Sequence, residues 1–302
     1  MKIKSIITTA ILATASIFTI SAPINNAIAH PHSKTQKKVD ESITKLIDTV
    51  THGQAKITGS FKAIGDLNGY LIAPKKGPQQ EMIVYIPKDK KYMVFGNLIA
   101  ADGTNLSEQY KQKYIMSKQA IKAYDQIHTM KYISVGPDKA PHKLYALIDT
   151  DCSYCNLLYK ELKVYTEGKD AKLQIRFIPV AIRGPGSRQR SAEIMQAVMT
   201  KGNAGAAKLL DLDEMNFDMS HESGGLKGIE ETSANKKYFD MVDKHTKFFT
   251  NSGFGGTPVL LYIDKKTGLP TIIPGYIPKP QQLTTIEKMS GSWAYHPKKA
   301  KK

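Results

Sequence analysis

The chain of 302 residues contains only two cysteines and a single tryptophan. A protein that uses disulfide bonds to hold its fold usually has several cysteines scattered along its length, so this count excludes a disulfide framework. The fold must instead rest on a hydrophobic core, for which 41% hydrophobic residues are sufficient. Beyond the first 29 residues, no stretch is long or apolar enough to cross a bilayer.

Acidic residues are also scarce, since 27 Asp and Glu stand against 43 Lys and Arg, giving a formal net charge of +16. A charge of this size can indicate nucleic-acid binding. The lysines are spread along the chain, however, and no basic stripe is interleaved with aromatic residues. This distribution favours a solvated basic surface over a nucleic-acid site. Residues 295–302 are predicted to form a basic tail.

The first 29 residues have the three parts of a cleaved secretory signal peptide. Lys2 and Lys4 supply the positive start, residues 6–20 form the apolar run, and Ala27 and Ala29 form a small-x-small cleavage site. The apolar run is shorter than the roughly 20 residues that a membrane-spanning helix needs. We therefore expect an exported, soluble mature chain.

The N-terminal part of the mature chain predicts an α+β unit followed by a connecting helix. Apolar residues at three- and four-residue steps predict a short helix over residues 39–50. The predicted strands are residues 56–64, 69–73, 82–86 and 92–98, separated by turns. Asn105 is followed three residues later by Glu108, the spacing of a capping box, which predicts the start of the connecting helix.

The C-terminal part predicts an α/β domain. Residues 144–148 and 173–180 are apolar runs typical of buried strands, and the apolar residues between these runs recur at helical spacing. This strand–helix–strand order predicts a βαβ unit with a parallel strand pair. Residues 183–252 are mostly helical with glycine breaks. The remaining predicted elements are strands at 259–263 and 271–273 and a helix at 279–289.

The two cysteines lie three residues apart, as Cys152-Ser153-Tyr154-Cys155, between the first of these strands and its helix. Free N–H groups and the dipole at a helix start favour a thiolate at Cys152. Cys155 is placed to resolve a mixed disulfide formed at Cys152, and Ser153 and Tyr154 would tune the redox poise. The pair predicts a redox-active dithiol that needs no separate cofactor.

Three other uses of the pair fit less well. A zinc site usually needs a second such pair or closely spaced histidines, and the chain has neither, so no metal is predicted. Covalent haem attachment needs a histidine directly after the second cysteine, where Asn156 stands. A structural disulfide across so short a loop would remove little entropy from the unfolded chain.

Thr257-Pro258 precedes a predicted strand far downstream of the cysteines. Proline cannot donate to a β-ladder, so it belongs at the start or edge of a strand, and an ordinary turn proline would also fit. If the peptide bond is cis, backbone groups of Thr257 would lie beside the cysteines. An extended client segment could then hydrogen-bond there as an added strand.

The order strand, CxxC at a helix start, helical insertion, Thr-Pro, strand, turn, strand and helix resembles the thioredoxin fold of bacterial disulfide oxidoreductases. The chain further resembles the DsbC/DsbG family of periplasmic thiol:disulfide interchange proteins, and DsbG more than DsbC. The segments that carry this resemblance are residues 67–70, 103–107, 223–225 and 274–278, together with Asp149 before the motif.

The resemblance implies a fold class in three parts. These are an α+β, cystatin-like N-terminal dimerisation domain over residues 30–104, a linker helix over 105–132, and an α/β thioredoxin-fold catalytic domain over 133–294, with the helical insertion at about 183–252. It also implies that residues 55–100 form the contact of a homodimer.

The resemblance also implies roles for residues. Cys152 would be the exposed nucleophile and Cys155 the resolving thiol, Pro258 would be a cis-proline, and Thr257 would contact the substrate. Two positions depart from the family pattern, since Ser153 replaces a proline or glycine and Asp151 stands where a neutral residue is usual. A carboxylate so close would tend to raise the pKa of the Cys152 thiol.

The implied function is that of a periplasmic thiol:disulfide oxidoreductase. It would isomerise or reduce disulfides in exported client proteins, or reduce their sulfenylated cysteines, and be kept reduced by a membrane thiol reductase of the DsbD type. Two alternatives stay open. One is a DsbA-like dithiol oxidase that uses the same residues, and the other is a redox-inert periplasmic chaperone.

Overall fold

The computed structural model describes residues 40–77 and 80–295 of the chain, so the predicted signal peptide and all but the first residue of the basic tail lie outside it. The helices are α1 (Glu41–Val50), α2 (Leu106–Lys111), α3 (Ser117–Ile127), α4 (Ser153–Thr166), α5 (Pro185–Thr200), α6 (Gly202–Met215), α7 (Lys236–Asn251) and α8 (Lys279–Ile286). A π-helical segment, Gln112–Met116, joins α2 to α3. Within the described ranges, no helix is long and apolar enough to cross a membrane.

The strands form two separate sheets. They are β1 (Ala55–Lys62), β2 (Leu67–Pro74), β3 (Met82–Pro87), β4 (Ile133–Val135), β5 (His142–Ile148), β6 (Leu173–Pro179), β7 (Val259–Ile263) and β8 (Pro270–Pro274). The first three make one antiparallel sheet, and the other five make a second sheet in the order β4-β6-β5-β7-β8.

The N-terminal sheet packs against α1 through a small apolar core. Ile43 and Ile47 lie on the buried face of α1 and contact Ile72, Val84 and Ile86 of the sheet. The predicted helix and three of the predicted strands are therefore present. The predicted fourth strand over 92–98 is wrong, because this segment makes only a single bridge to β3.

The connecting helix begins as its capping pattern predicts. The Asn105 side chain accepts a hydrogen bond from the Glu108 backbone N–H at 3.0 Å, which satisfies one of the free donors of the first turn. The first half of the helix touches the N-terminal sheet, where the Tyr114 ring stacks on Phe61 at 4.1 Å between centroids. The second half buries Tyr124 in the core of the second sheet, so one helix contacts both sheets.

The second sheet contains the predicted βαβ unit. Strands β5 and β6 are parallel and connected through α4, whereas the other neighbouring pairs are antiparallel. Every residue of β5 is buried, as expected for a central strand covered on both faces. Alternate side chains enter the two cores, with Leu144 and Ala146 on one face and Tyr145 and Leu147 on the other.

Helices α4, α5 and α6 cover the first face of this sheet, and α3 and the end of α7 cover the second. Strand β4 was not predicted, because three residues are too few to show an alternating pattern. The assignment of residues 30–104 and 133–294 to separate domains stays a prediction.

Candidate active site

The two cysteines lie where the central strand passes into a helix. Cys152 is the N-cap residue of α4, and its Sγ accepts a hydrogen bond from the Cys155 backbone N–H at 3.4 Å. Both residues are free thiols. Backbone N–H groups of the first helical turn, those of Cys155 and Tyr154, therefore act on the Cys152 sulfur, as the motif's position in the sequence predicts.

The two thiols have opposite acidities. Hydrogen bonding from the Cys155 side chain, together with Thr257 and the backbone N–H groups of Cys155 and Tyr154, lowers the pKa of Cys152 to about 6, although burial opposes this shift. Burial raises the pKa of Cys155 well above its ordinary value. At neutral pH, Cys152 is therefore mostly a thiolate and Cys155 is a thiol.

The expectation that Cys152 would be exposed is wrong for this state of the protein. Only 4% of Cys152 and 1% of Cys155 is accessible. The first sulfur is covered because it lies between the start of α4 and the Thr257 carbonyl oxygen, 3.4 Å away.

The Thr257-Pro258 peptide bond is cis, as the resemblance implies. Pro258 directly precedes β7, and its carbonyl oxygen accepts a hydrogen bond from the Gly275 backbone N–H at 2.8 Å. The structure thus brings Cys152, Cys155 and Thr257 together from two distant parts of the chain. Ser153 and Tyr154 lie on the first turn of α4.

A loop of the helical insertion, residues 222–224, holds both flanks of the motif. Ser153 Oγ donates a hydrogen bond to Glu222 Oε1 at 2.5 Å, and Arg183 forms an ion pair with the same carboxylate. The Gly224 backbone N–H donates to Asp151 Oδ1 at 3.3 Å. The sequence showed this loop only as a point of resemblance, because no pattern connects residues some 70 positions apart.

Asp151 does not have the effect on Cys152 that its position in the sequence suggested. Its carboxylate forms an ion pair with Arg190 at 3.2 Å, and the pKa of Cys152 is lowered, not raised. Burial raises the pKa of Asp151 itself, against the opposing contributions of the Gly224 N–H and Arg190. The guanidinium thus offsets much of the negative charge beside the motif.

Buried carboxyl groups lie behind the motif, and the sequence pointed to only one of them, Asp149, through the family resemblance. Asp149 accepts hydrogen bonds from the backbone N–H groups of Asp151, Ile182 and Arg183. Glu214 of α6 accepts one from Asn156 Nδ2 at 2.8 Å, and burial raises the pKa of Glu214 to about 8.

Burial likewise raises the pKa of the neighbouring Asp213 to about 7. The only signal for Asp213 and Glu214 in the sequence was that two acidic residues stand side by side in a region predicted to be helical. At neutral pH both of these carboxyl groups are at least partly protonated, which limits the negative charge that faces the Cys152 thiolate.

The surface around the motif carries exposed apolar side chains. Tyr154 is 62% exposed and its ring centroid lies 6.2 Å from that of Tyr276, while Leu157 and Ile182 are each 39% exposed. These side chains form an apolar rim beside the motif, and exposed apolar patches of this kind mark interaction sites. Among residues 40–77 and 80–295, no group of histidine, cysteine and acidic side chains is arranged to hold a metal ion.

Comparison with known proteins agrees with this geometry. The family described as "Thioredoxin-like domain" matches residues 130–290, more than half of the chain. The chain belongs to the thioredoxin-like family. The matched region includes both cysteines, the helical insertion and Thr257-Pro258, so the thioredoxin-like fold predicted for this region is confirmed.

The thioredoxin-like chain is also related to proteins named for disulfide interchange. It is 27% identical over 155 residues to the thiol:disulfide interchange protein DsbG of Pseudomonas aeruginosa, a match covering 51% of this chain and 59% of that protein. It is 26% identical over 118 residues to DsbC of Pasteurella multocida, covering 39% of this chain and 47% of that protein. The chain thus spans about half the length of these relatives, and the predicted DsbC/DsbG relationship is confirmed.

The solved structures that are similar to this chain include one of Helicobacter pylori DsbG. The similarity has a TM-score of 0.37 and 18% sequence identity, and it covers 73% of this chain and 99% of that chain.

Proposed function

We propose that the protein is a thiol:disulfide oxidoreductase that isomerises or reduces disulfides of exported proteins. The observation that carries this proposal is the contrast between the two thiols. Cys152, with a pKa of about 6, lies at the start of α4 beside the Thr257 carbonyl, and the pKa of Cys155 is far above neutrality. A thiolate with a protonated second thiol in reach is what stepwise disulfide exchange requires.

The first step of the proposed reaction is attack by the Cys152 thiolate on one sulfur of a client disulfide. The client S–S bond breaks, a Cys152–client S–S bond forms, and the second client sulfur leaves as a thiolate that takes up a proton. The N–H groups that hold the thiolate weaken its nucleophilicity somewhat but keep it deprotonated at neutral pH.

The mixed disulfide can then follow one of two routes. In isomerisation, a client thiolate attacks it, a new client disulfide forms, and the Cys152 thiolate returns with no net transfer of electrons. In reduction, Cys155 loses its proton and attacks the Cys152 sulfur. This forms the Cys152–Cys155 disulfide and leaves the client reduced by two electrons.

A sulfenylated client cysteine would enter the same path. The Cys152 thiolate would attack the sulfenic sulfur, form the same kind of mixed disulfide and, with one proton, release water. Cys155 would then resolve it as in reduction. The redox centre is the cysteine pair itself, so the proposal includes no further cofactor.

The geometry around Thr257 supports an approach of the client as an extended segment. The Thr257 carbonyl oxygen lies beside the Cys152 sulfur, and the exposed ring of Tyr154 lies 6.2 Å, between centroids, from the half-buried ring of Tyr276. Backbone hydrogen bonds to Thr257 would then align the client sulfur, and the apolar rim would accept client side chains with little sequence preference.

The proposal extends to partners and location. Exported clients and a periplasmic location follow from the predicted signal peptide, and the reductive route requires an electron donor, which we propose is a membrane thiol reductase of the DsbD type. A homodimer formed through the N-terminal unit is supported by exposed apolar side chains there, namely Met82, Tyr92, Phe95 and Ile99. No nucleic acid is proposed as a partner.

The activity test is reactivation of a substrate protein whose disulfides have been scrambled. We expect Cys152→Ser to abolish reactivation, and Cys155→Ser to retain attack but accumulate the mixed disulfide, which non-reducing electrophoresis detects. Circular dichroism establishes that both variants are folded. If Cys152→Ser reactivates the substrate as well as the unaltered protein, the enzymatic proposal fails and a redox-inert chaperone takes its place.

One observation favours the dithiol-oxidase alternative. A low pKa at the nucleophilic cysteine stabilises the reduced form, and this makes the disulfide form a stronger oxidant. The redox state of the pair in cells distinguishes the two directions, by acid quenching and mass-tagged alkylation. A mostly reduced pair supports the isomerase or reductase, and a mostly oxidised pair would replace it with the oxidase.

A further inference from the structure

A cleft of about 480 Å³ lies at the opposite end of the central strand from the cysteines. It is lined by Tyr132, Ser134, Asp138, Lys143, Gln174, Arg176, Asn203 and Trp293. Lys143 is the second residue of β5, whereas Cys152 follows the end of that strand. The five strand residues after Lys143, at about 3.3 Å each, place it roughly 16 Å from the end of β5 that leads to the cysteines. The cleft volume is in the range of about 300–1,000 Å³ typical of small-molecule sites.

Two cationic side chains face this cleft, and the hydrogen bonds they make in the described residues go to uncharged acceptors. Lys143 is 6% exposed, and its Nζ donates to the Asp138 backbone oxygen at 2.5 Å and to Gln174 Oε1 at 2.7 Å, both uncharged acceptors. Burial lowers the pKa of Lys143, the charge of Arg176 lowers it further, and the charge of the nearby Asp138 carboxylate opposes both. In the part of the chain that the structure describes, neither cation forms an ion pair with an acidic side chain.

Aromatic rings cover the flat faces of the Arg176 guanidinium group, and few of the N–H donors along its edge are hydrogen-bonded. The guanidinium lies 3.9 Å from the centre of the Trp293 ring and 4.2 Å from that of Tyr132. Contacts with aromatic rings occupy the faces of the guanidinium plane and leave its N–H donors available. Over residues 40–77 and 80–295, the only hydrogen bond of this guanidinium runs from Nη1 to Tyr145 Oη, at 2.9 Å.

The polar walls of the cleft are fixed by hydrogen bonds of their own. Gln174 Nε2 donates to Asp138 Oδ1 at 2.6 Å, which also keeps the carboxylate oriented to the amide. Asn203 Nδ2 donates to the Ser134 backbone oxygen at 2.8 Å, and the Ser134 N–H donates back to Asn203 Oδ1 at 2.6 Å. The site is thus preorganised, and the repulsion between Lys143 and Arg176 inside it is only partly offset by the single Asp138 carboxylate.

We propose that this cleft binds a small oxyanionic ligand whose phosphate or carboxylate group pairs with Arg176 and Lys143. An oxyanion between the two cations relieves their repulsion, and the flat guanidinium edge presents paired N–H donors that match phosphate and carboxylate oxygens. The aromatic rings of Trp293 and Tyr132 provide an apolar wall for the rest of the ligand. This binding site is independent of the thiol chemistry proposed above.

The test uses Trp293, the only tryptophan of the chain, as a reporter inside the cleft. Its fluorescence is followed while the full protein is titrated with sodium phosphate, with sodium citrate and, at matched ionic strength, with sodium chloride. We expect a saturable change with phosphate or citrate that chloride does not produce. The arm that saturates at the lower concentration identifies the phosphate or the carboxylate as the preferred group.

Variants then establish the location. Arg176→Gln and Lys143→Gln are each expected to raise the apparent Kd at least tenfold, whereas Lys169→Gln, an exposed lysine that does not line the cleft, leaves it unchanged. If one cleft variant does not fold, the other decides. If neither folds, the decision rests on the saturable rise in Tm that the ligand causes in the unaltered protein, taken with the Trp293 response.

Equal responses to chloride and to both oxyanions would reduce the effect to ionic strength and overturn the proposal. Binding that both cleft variants retain would also overturn it, because the ligand would then sit elsewhere. Oxidising the cysteine pair is expected to leave the Kd within twofold, since the pair lies at the other end of the strand.

Discussion

At the scale of single residues, the site depends on three hydrogen-bonding groups around one sulfur. The Cys155 side chain, the Thr257 side chain and the backbone N–H groups of the first turn of α4 hydrogen-bond to Cys152 and lower its pKa. The groups come from two segments far apart in the chain. The pKa of Cys152 therefore reports on whether the motif and the Thr257-Pro258 segment are assembled.

The rate of Cys152 alkylation should follow the lowered pKa. Because only the thiolate reacts, we expect the rate with iodoacetamide to reach half its plateau near pH 6 and to change little above pH 8. Mass spectrometry of the reduced protein, quenched over a series of times at each pH, measures it. A midpoint near the ordinary thiol value of 9.0 would contradict the assignment of Cys152 as the stabilised thiolate.

The Cys155→Ala variant separates the causes of this shift. The Cys155 side chain makes the largest contribution to lowering the Cys152 pKa, so its removal should move the alkylation midpoint to higher pH. Ser292→Ala, a small-residue change on the surface, is the matched control and should leave the midpoint unchanged. An unchanged midpoint in Cys155→Ala would leave the backbone N–H groups of the helix start as the main cause.

At the scale of elements, the helical insertion supports α4 from behind as well as covering its start. Helix α6 places Asp213 and Glu214 against the buried side of α4, and a connecting loop reaches Asp151 through the Gly224 N–H. A Cβ at Gly224 would lie 2.4 Å from Asp213 Oδ1, so the approach of the loop requires glycine. The insertion is therefore part of the site's architecture.

The buried Glu214 should make stability fall as pH rises. The pKa of Glu214 is raised from 4.5 to about 8 in the folded protein. Its contribution to the free energy of unfolding is therefore fully present below pH 4.5 and is lost as pH rises through 8. We expect Glu214→Gln to stabilise the reduced protein at pH 8.5 by on the order of a few kcal/mol relative to its effect at pH 5. Urea unfolding at both pH values measures the difference.

A matched control for this change is Glu287→Gln, at an exposed position just after α8. This substitution should change the free energy of unfolding by the same amount at both pH values. A Glu214→Gln variant that destabilises the protein equally at pH 5 and pH 8.5 would contradict the raised pKa. It would point instead to a purely steric role for the carboxyl group beside Asn156.

The connecting helix offers a separate test of local structure. Asn105→Ala removes the acceptor of the Glu108 N–H, and loss of such a cap costs about 1 kcal/mol. Asn105→Asp keeps an oxygen at the same place and should retain the unaltered stability. Urea unfolding measures both variants. Equal destabilisation by alanine and aspartate would exclude the cap as the cause.

At the scale of the whole molecule, the sequence predicted most elements but few of the contacts between them. Strand β5 and helix α4 were visible because a buried apolar run and a helical spacing are local patterns. The contact of Glu222 with Ser153 was not visible, since it joins positions 69 residues apart. The Arg176 cleft was missed for the same reason, because β4, β5, β6 and the segment after α8 each supply one part of it.

The predicted fourth strand shows how a local pattern can mislead. Residues 92–98 have the composition of a strand, yet they form only one bridge, between Val94 and Tyr85. Two residues of this segment remain exposed, Tyr92 at 54% and Phe95 at 50%, as does Ile99 directly after it, at 57%. The residue types in this segment are typical of strands, but in this structure they form an apolar surface on the N-terminal unit.

That apolar surface should mediate the proposed homodimer. Phe95→Glu places a charge where a partner would bury an aromatic ring, so we expect equilibrium sedimentation to shift from dimer toward monomer, with the apparent Kd raised at least tenfold. Val164→Glu is the matched control, since Val164 is 65% exposed on α4, in the other part of the molecule. A chain that is monomeric before any substitution would undercut the homodimer proposal.

If Phe95→Glu is monomeric yet still reactivates a scrambled substrate at the full rate, the dimer is not needed for isomerisation. If reactivation falls while the alkylation rate of Cys152 is unchanged, the two subunits act together on the client, because the thiol chemistry itself is intact.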